Sequence, residues 1–116
     1  MDNAPAEAHL GVTTDGRLSV SGGEPIDGYR PSADHLFRTV AAAFGPGAAG
    51  VVLTGMGRDG ADGLLTLRQS GGLTIAQDET TSIVYGMPRQ ALVRGAAEEV
   101  LPVEDIARVL IGRAAR

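Results

Sequence analysis

Val51-Val52-Leu53-Thr54-Gly55-Met56-Gly57-Arg58-Asp59-Gly60-Ala61-Asp62-Gly63 is the stretch whose reading decides the fold. An uninterrupted apolar run ends in a glycine-rich turn with one acid, and helix-compatible sequence follows from Ala61 to Gln69. That order predicts a buried strand, a tight loop and a helix. In open α/β sheets, ligands gather at the carboxyl ends of the strands, so the loop is the place to look for chemistry. Gly55, Gly57 and Gly60 let the backbone turn sharply and leave amide N–H groups near a positive helix N-terminus.

Three readings compete for this loop. Gly55-Met56-Gly57-Arg58-Asp59-Gly60 satisfies G-x-G-x-x-G, and Asp78 ends the next apolar run where a ribose-binding acid of a dinucleotide site would lie. Asp59, however, would put a negative charge beside the pyrophosphate. In a second reading the amides form an oxyanion hole and Asp59 orients a histidine for serine-type acyl transfer. In the third, Asp59 caps the helix that follows.

Working outward, Ala61, Leu64, Leu65 and Leu67 give the helix an apolar side, closed by Ser70-Gly71-Gly72, and Leu73 to Gln77 is the next strand. Strand, helix and strand at this spacing form a βαβ unit with parallel strands. Asp78 to Ser82 then lies on the same sheet edge as Asp59; the simplest role for Asp78 is to cap the turn leading to Tyr85-Gly86-Met87-Pro88. Tyr85 and Met87 read as core packing. Pro88 opens a short helix over Arg89 to Val93, ended by Gly95. Glu98 to Leu101 reads as an edge strand, and Pro102 opens a last helix with Ile106, Val109 and Leu110 inward.

Upstream, His9 to Val12 and Arg17 to Val20 flank Thr14-Asp15-Gly16, a hairpin signal. Ser21 to Pro31 reads as a loop that carries Tyr29 and Arg30. Ser32 is a candidate N-cap for an amphipathic helix whose apolar stripe is Ala33, Leu36, Phe37, Val40, Ala41 and Phe44. Gly45-Pro46-Gly47 ends it, and His35, off the stripe, reads as solvated.

The chain has 116 residues, enough for a single small domain over residues 1–116. Net charge is −4, and all ten basic residues are arginines that form no cluster, which argues against a nucleic-acid partner. Without cysteine there are no disulfides or thiolate metal sites, no metal-ligand cluster stands out, and no cofactor is expected. No apolar stretch reaches membrane-spanning length and no secretory leader is visible, so membrane insertion is not expected and the simplest location is cytoplasmic.

Five motifs in order carry a family resemblance: His9-Leu10; Arg30-Pro31-Ser32-Ala33-Asp34-His35-Leu36-Phe37; Leu53 to Ala61; Ala76-Gln77-Asp78-Glu79; and Val84-Tyr85-Gly86-Met87-Pro88. From about Ala6 to Ile111 the chain resembles the C-terminal part of the CheB-type protein-glutamate methylesterase domain of bacterial chemotaxis. The resemblance implies an α/β fold, part of a doubly wound, mostly parallel sheet, and hydrolysis of glutamate methyl esters on chemoreceptors by a Ser-His-Asp triad. It assigns the triad aspartate to Asp59 and an oxyanion-hole backbone amide to Met56. Gly55, Gly57 and Arg30 would sit at a substrate rim, with receptor carboxylates as partners of Arg30.

The segments that carry the family's nucleophilic serine and catalytic histidine are not in this sequence, and His9 and His35 match other positions of the pattern. The expectation is an N-terminally truncated domain with an exposed sheet edge and apolar helix faces, open to a complementary N-terminal half or to a second copy of itself. Three function classes follow: a methylesterase completed by residues from elsewhere, a catalytically inactive chemotaxis-related binding domain, or a nucleotide-binding fragment.

Overall fold

The computed structural model describes residues 9–15, 17–22, 24 and 32–114. Its elements are β1 (His9–Val12), β2 (Leu18–Ser21), α1 (Ala33–Phe44), β3 (Ala49–Val52), α2 (Ala61–Gln69), β4 (Leu73–Gln77), α3 (Met87–Val93), β5 (Glu99–Leu101) and α4 (Val103–Ala114). A single 3₁₀ turn, Gly45–Gly47, separates α1 from β3. Arg30 and Tyr29 lie outside the described residues.

The predicted βαβ unit is present. β3 and β4 run parallel, with Val51 opposite Ile75, and β5 adds on the far side of β4 to give the order β3-β4-β5. β4 is buried on both faces because it is central: Thr74, Ile75, Ala76 and Gln77 all have almost no exposed surface. Ala76 shares a core cluster with Leu64 and Leu67 of α2. Successive strand residues alternate faces, so Ile75 points the other way, and α4, which packs against β4, buries Ile106. Full burial of side chains such as Leu64 and Leu67 is worth about 1.5–3 kcal/mol each, which is how one helix anchors two strands.

β1 and β2 form the expected antiparallel hairpin, His9 opposite Ser21, separate from the main sheet. It packs on α1. The Val12 N–H donates to Thr39 Oγ1 at 2.9 Å, and the His9 and His35 rings lie 5.2 Å apart.

Several expectations need correction. The organising strand is Ala49–Val52 and ends two residues before Thr54, because Thr54 is drawn off to Gln77 and Val84 and Leu53 turns outward. Phe44, placed on the apolar stripe of α1, is half exposed at 49% because the helix ends there in Gly45 at φ 47°. Asp34, off that stripe, is buried instead. His35 is not simply solvated: it is half-buried against His9. Tyr85 is half-exposed and lines a surface cleft, while Met87 does pack on the core.

The expected open surface is present. Among the described residues β3 pairs only with β4, and Leu53, Met56, Ile83 and Val84 are exposed near the carboxyl ends of the strands.

Two outcomes follow from this packing. A Cβ on Gly63 would come within 2.7 Å of both the Asp34 Cα and its carbonyl oxygen, whereas one on Gly112 of α4 meets nothing within 4 Å. In urea unfolding Gly63→Ala should cost about 1–3 kcal/mol, while Gly112→Ala should be neutral or stabilise by up to about 1 kcal/mol. Equal effects would contradict the close α1–α2 approach. Second, burial, then His9, then Arg38 hold the His35 imidazole below the usual histidine range. The unfolded chain therefore binds its proton more readily, so this contribution is complete above pH of about 6.5 and is lost as pH falls below it. The melting temperature should fall from pH 7.5 to 5.5, and His35→Gln should flatten that fall.

Candidate active site

Asp59 and Asp34 exchange caps between two helices. The Asp59 carboxylate accepts from Ser32 Oγ (2.8 Å) and the Asp34 N–H (3.3 Å) on Oδ1, and from the Ala33 N–H (2.5 Å) on Oδ2. All three donors belong to the N-terminus of α1. In return Asp34 Oδ1 accepts the N–H groups of Gly60 (3.0 Å) and Gly63 (2.6 Å) at the start of α2. Both carboxylates are buried, 8% and 3% exposed, and among the described residues neither has an arginine partner. Orphan helix N–H groups and the positive end of the helix dipole take the place of a cation. Asp59 thus caps a helix, as one reading of the sequence has it, but the helix is α1; α2 starts at Gly60, in a left-handed conformation at φ 108°.

This arrangement bears on the competing chemistries. The Gly60 and Gly63 amides, which a pyrophosphate would need, are already taken by Asp34. Ser32, His9 and Asp59 meet in space but are not wired as a triad. Ser32 Oγ donates to the carboxylate rather than to an imidazole and is the N-cap of α1, accepting the His35 N–H at 3.4 Å. The His9 Nδ1 accepts from the Ser32 N–H at 3.3 Å, and its Nε2 contacts the Glu24 carbonyl at 2.9 Å. With Nδ1 accepting, the ring proton sits on Nε2 and is donated to that carbonyl. Ser32 is 2% exposed and His9 4%, so the group is structural.

The loop after β3 is held in place from below. Gln77, 3% exposed at the end of β4, accepts the Thr54 N–H through Oε1 (2.7 Å) and donates through Nε2 to the Thr81 carbonyl (2.8 Å) and Oγ1 (3.1 Å). The Gly55 N–H donates to the Val84 carbonyl, and the Gly55 carbonyl accepts from Gly86 and Met87. Gly86 permits this approach: a Cβ there would lie 2.8 Å from the Gly55 oxygen and 3.1 Å from the Met56 Cα. So clamped, the loop presents Met56, 80% exposed, with an N–H that no described group accepts. Gly57 follows at φ 94°, a turn conformation that glycine adopts without strain.

The sequence-predicted residues therefore divide. Gly55, Met56, Gly57 and Asp59 share one short loop at the carboxyl end of β3, and Arg30 falls outside the described residues. Asp78 caps its own turn, its Oδ1 accepting from the Thr81 N–H (3.0 Å) and Oγ1 (2.7 Å), as its simplest reading required. Among the described residues no group of three or more acidic or histidine side chains could hold a metal ion. Sequence reasoning missed Asp34, Gln77 and Gly86 as parts of the site's support. Asp34 gave a signal, an acid in the first turn of a helix; Gln77 gave none.

A protein-family model described as CheB methylesterase matches residues 3–110. The protein-glutamate methylesterase FrzG of Myxococcus xanthus is 52% identical over 108 residues, spanning 93% of this chain and 32% of that protein. A protein-glutamate methylesterase/protein-glutamine glutaminase of Anaeromyxobacter dehalogenans is also 52% identical, over 110 residues, with the same coverage of 93% and 32%. The chain thus spans about a third (32%) of the length of these curated relatives. The crystal structure of the Thermotoga maritima CheB methylesterase catalytic domain superposes with a TM-score of 0.86 at 32% identity, over 93% of this chain and 59% of that one. With a family model matched over residues 3–110 and part of the catalytic-domain fold reproduced, the chain belongs to the CheB methylesterase family.

Proposed function

We propose that this chain supplies the aspartate and one oxyanion-hole amide of a protein-glutamate methylesterase site, completed by a serine and a histidine from outside this sequence. One observation carries the reading: a carboxylate fixed on two sides by a helix N-terminus stands three residues from the exposed Met56, whose N–H no described residue accepts, at the carboxyl end of a parallel strand.

In that chemistry the serine attacks the ester carbonyl of a methylated glutamate side chain, and the histidine takes its proton and returns it to the methanol that leaves. Water then hydrolyses the acyl-enzyme by the same route. Asp59 keeps the histidine in one tautomer: Oδ2 accepts only the Ala33 N–H from the described residues, leaving a lone pair for an imidazole N–H. The Met56 N–H receives the oxyanion, where a fixed donor is worth more than a solvent one because it need not reorganise. The substrate would be methylated glutamates of a chemoreceptor, and the complementary N-terminal half of the domain would cover the open side of β3.

Methanol release from a glutamate-methyl-ester receptor fragment tests this. The chain alone should give background. Addition of an N-terminal half carrying the serine and histidine should give turnover, which Asp59→Asn should lower by about 10³–10⁴-fold. A half that binds without turnover would instead favour the inactive binding domain, and turnover by the chain alone would overturn the assignment. In the complemented protein, Gln77→Leu frees the Thr54 N–H and should lower kcat by about 10–100-fold with KM little changed, as loss of oxyanion geometry does. An equal rise in KM with kcat preserved would place Gln77 in substrate binding.

A further inference from the structure

A second site lies beside the oxyanion loop. A cleft of about 400 Å³ is lined, among the described residues, by Gly57, Arg58, Tyr85, Gly86, Arg89 and Gln90. It shares a wall with the Met56 loop, since Gly57 and Gly86 both line it and a Cβ on Gly86 would lie 3.1 Å from the Met56 Cα. The chain carries a net charge of −4, yet these lining residues include two guanidinium groups and no carboxylate.

The other arginines around the core already have work. Arg68 donates to the carbonyls of Gly95 and Ala97, Arg94 pairs with Asp62, and Arg113 donates to the Pro46 carbonyl. Arg89 is different: it is exposed and, like the side chains of Tyr85 and Gln90, has no hydrogen-bond partner among the described residues. Among the described residues, the Arg89 guanidinium fork, the Tyr85 phenol and the Gln90 carboxamide without acceptors form a donor set for a carboxylate. The volume suits one or two side chains rather than a cofactor.

We propose that this cleft binds a glutamate or aspartate side chain flanking the methyl ester, so that the substrate is an acidic peptide docked by a carboxylate next to the reacting ester. The proposal rests on the methylesterase reading for what occupies the neighbouring position, but its test does not depend on turnover. The 116-residue chain is titrated, by calorimetry and by amide NMR, with a helical peptide carrying one glutamate methyl ester flanked by glutamates. Parallel titrations use the same peptide with glutamine flanks and inorganic phosphate.

The glutamate-flanked peptide should bind, shift the Gly57 and Gly86 amide signals, and weaken as salt rises. Glutamine flanks or Arg89→Gln should each weaken binding about tenfold, as loss of a charge-assisted hydrogen bond does, whereas Arg108→Gln on α4 should not. Indifference to the flanking charge, unchanged affinity in Arg89→Gln, or phosphate binding as tightly as the peptide would each overturn the proposal. Arg89-dependent peptide binding in a chain whose complemented form releases no methanol would sink the esterase reading and leave the cleft standing.

Discussion

Two carboxylates capping each other's helices hold this structure together around its site. Asp59 closes the N-terminus of α1 and Asp34 closes that of α2, and each cap lies just before or just inside the helix that the other serves. A buried carboxylate is costly to desolvate unless its lone pairs are used, and here backbone donors use them. Neither cap can be moved without shifting the other. Gly63 follows from the same constraint, since the close approach that brings Asp34 over α2 leaves no room for a Cβ. So does the position of Asp59, which is fixed by α1 through the Ser32 hydroxyl and the Ala33 and Asp34 amides.

The oxyanion loop is supported independently, from the sheet. Gln77 reaches from β4 under Thr54, and Gly86 lets the 84–87 segment run along Gly55 through backbone hydrogen bonds. An acid and an amide a few residues apart are thus held by different parts of the fold, one by a helix end and one by a buried carboxamide. Such division is suited to a site whose members must keep fixed positions while one side of the sheet is open. The exposed apolar side chains of Leu53, Met56, Ile83 and Val84 lie at that open region.

Much of this was legible in the residues. The bounds of α2 and β4, the hairpin, the Ser32 cap and the Asp78 turn follow from local chemistry: apolar period, capping hydroxyl, glycine stop and Asp-Gly turn. The location of Asp59 and Met56 on one loop came from a strand ending in glycines. What could not be read is the pairing across distance. Nothing local says that Asp59 turns back to α1, 26 residues away in sequence, instead of capping the helix beside it. Nor does an apolar count place Asp34 inside and Phe44 outside, because polar satisfaction decided the first and a helix end the second. Gln77 reads as the last residue of a strand until its two partners are seen.

The most direct measurement is a double-mutant cycle of Asp34→Ala and Asp59→Ala by urea unfolding. If the two caps form one interlocked unit, each single change should cost about 1–3 kcal/mol, and the double mutant should cost less than their sum by at least about 0.5 kcal/mol. Costs that add to within about 0.3 kcal/mol would mean that the helices are capped independently and that α1 does not set the position of Asp59.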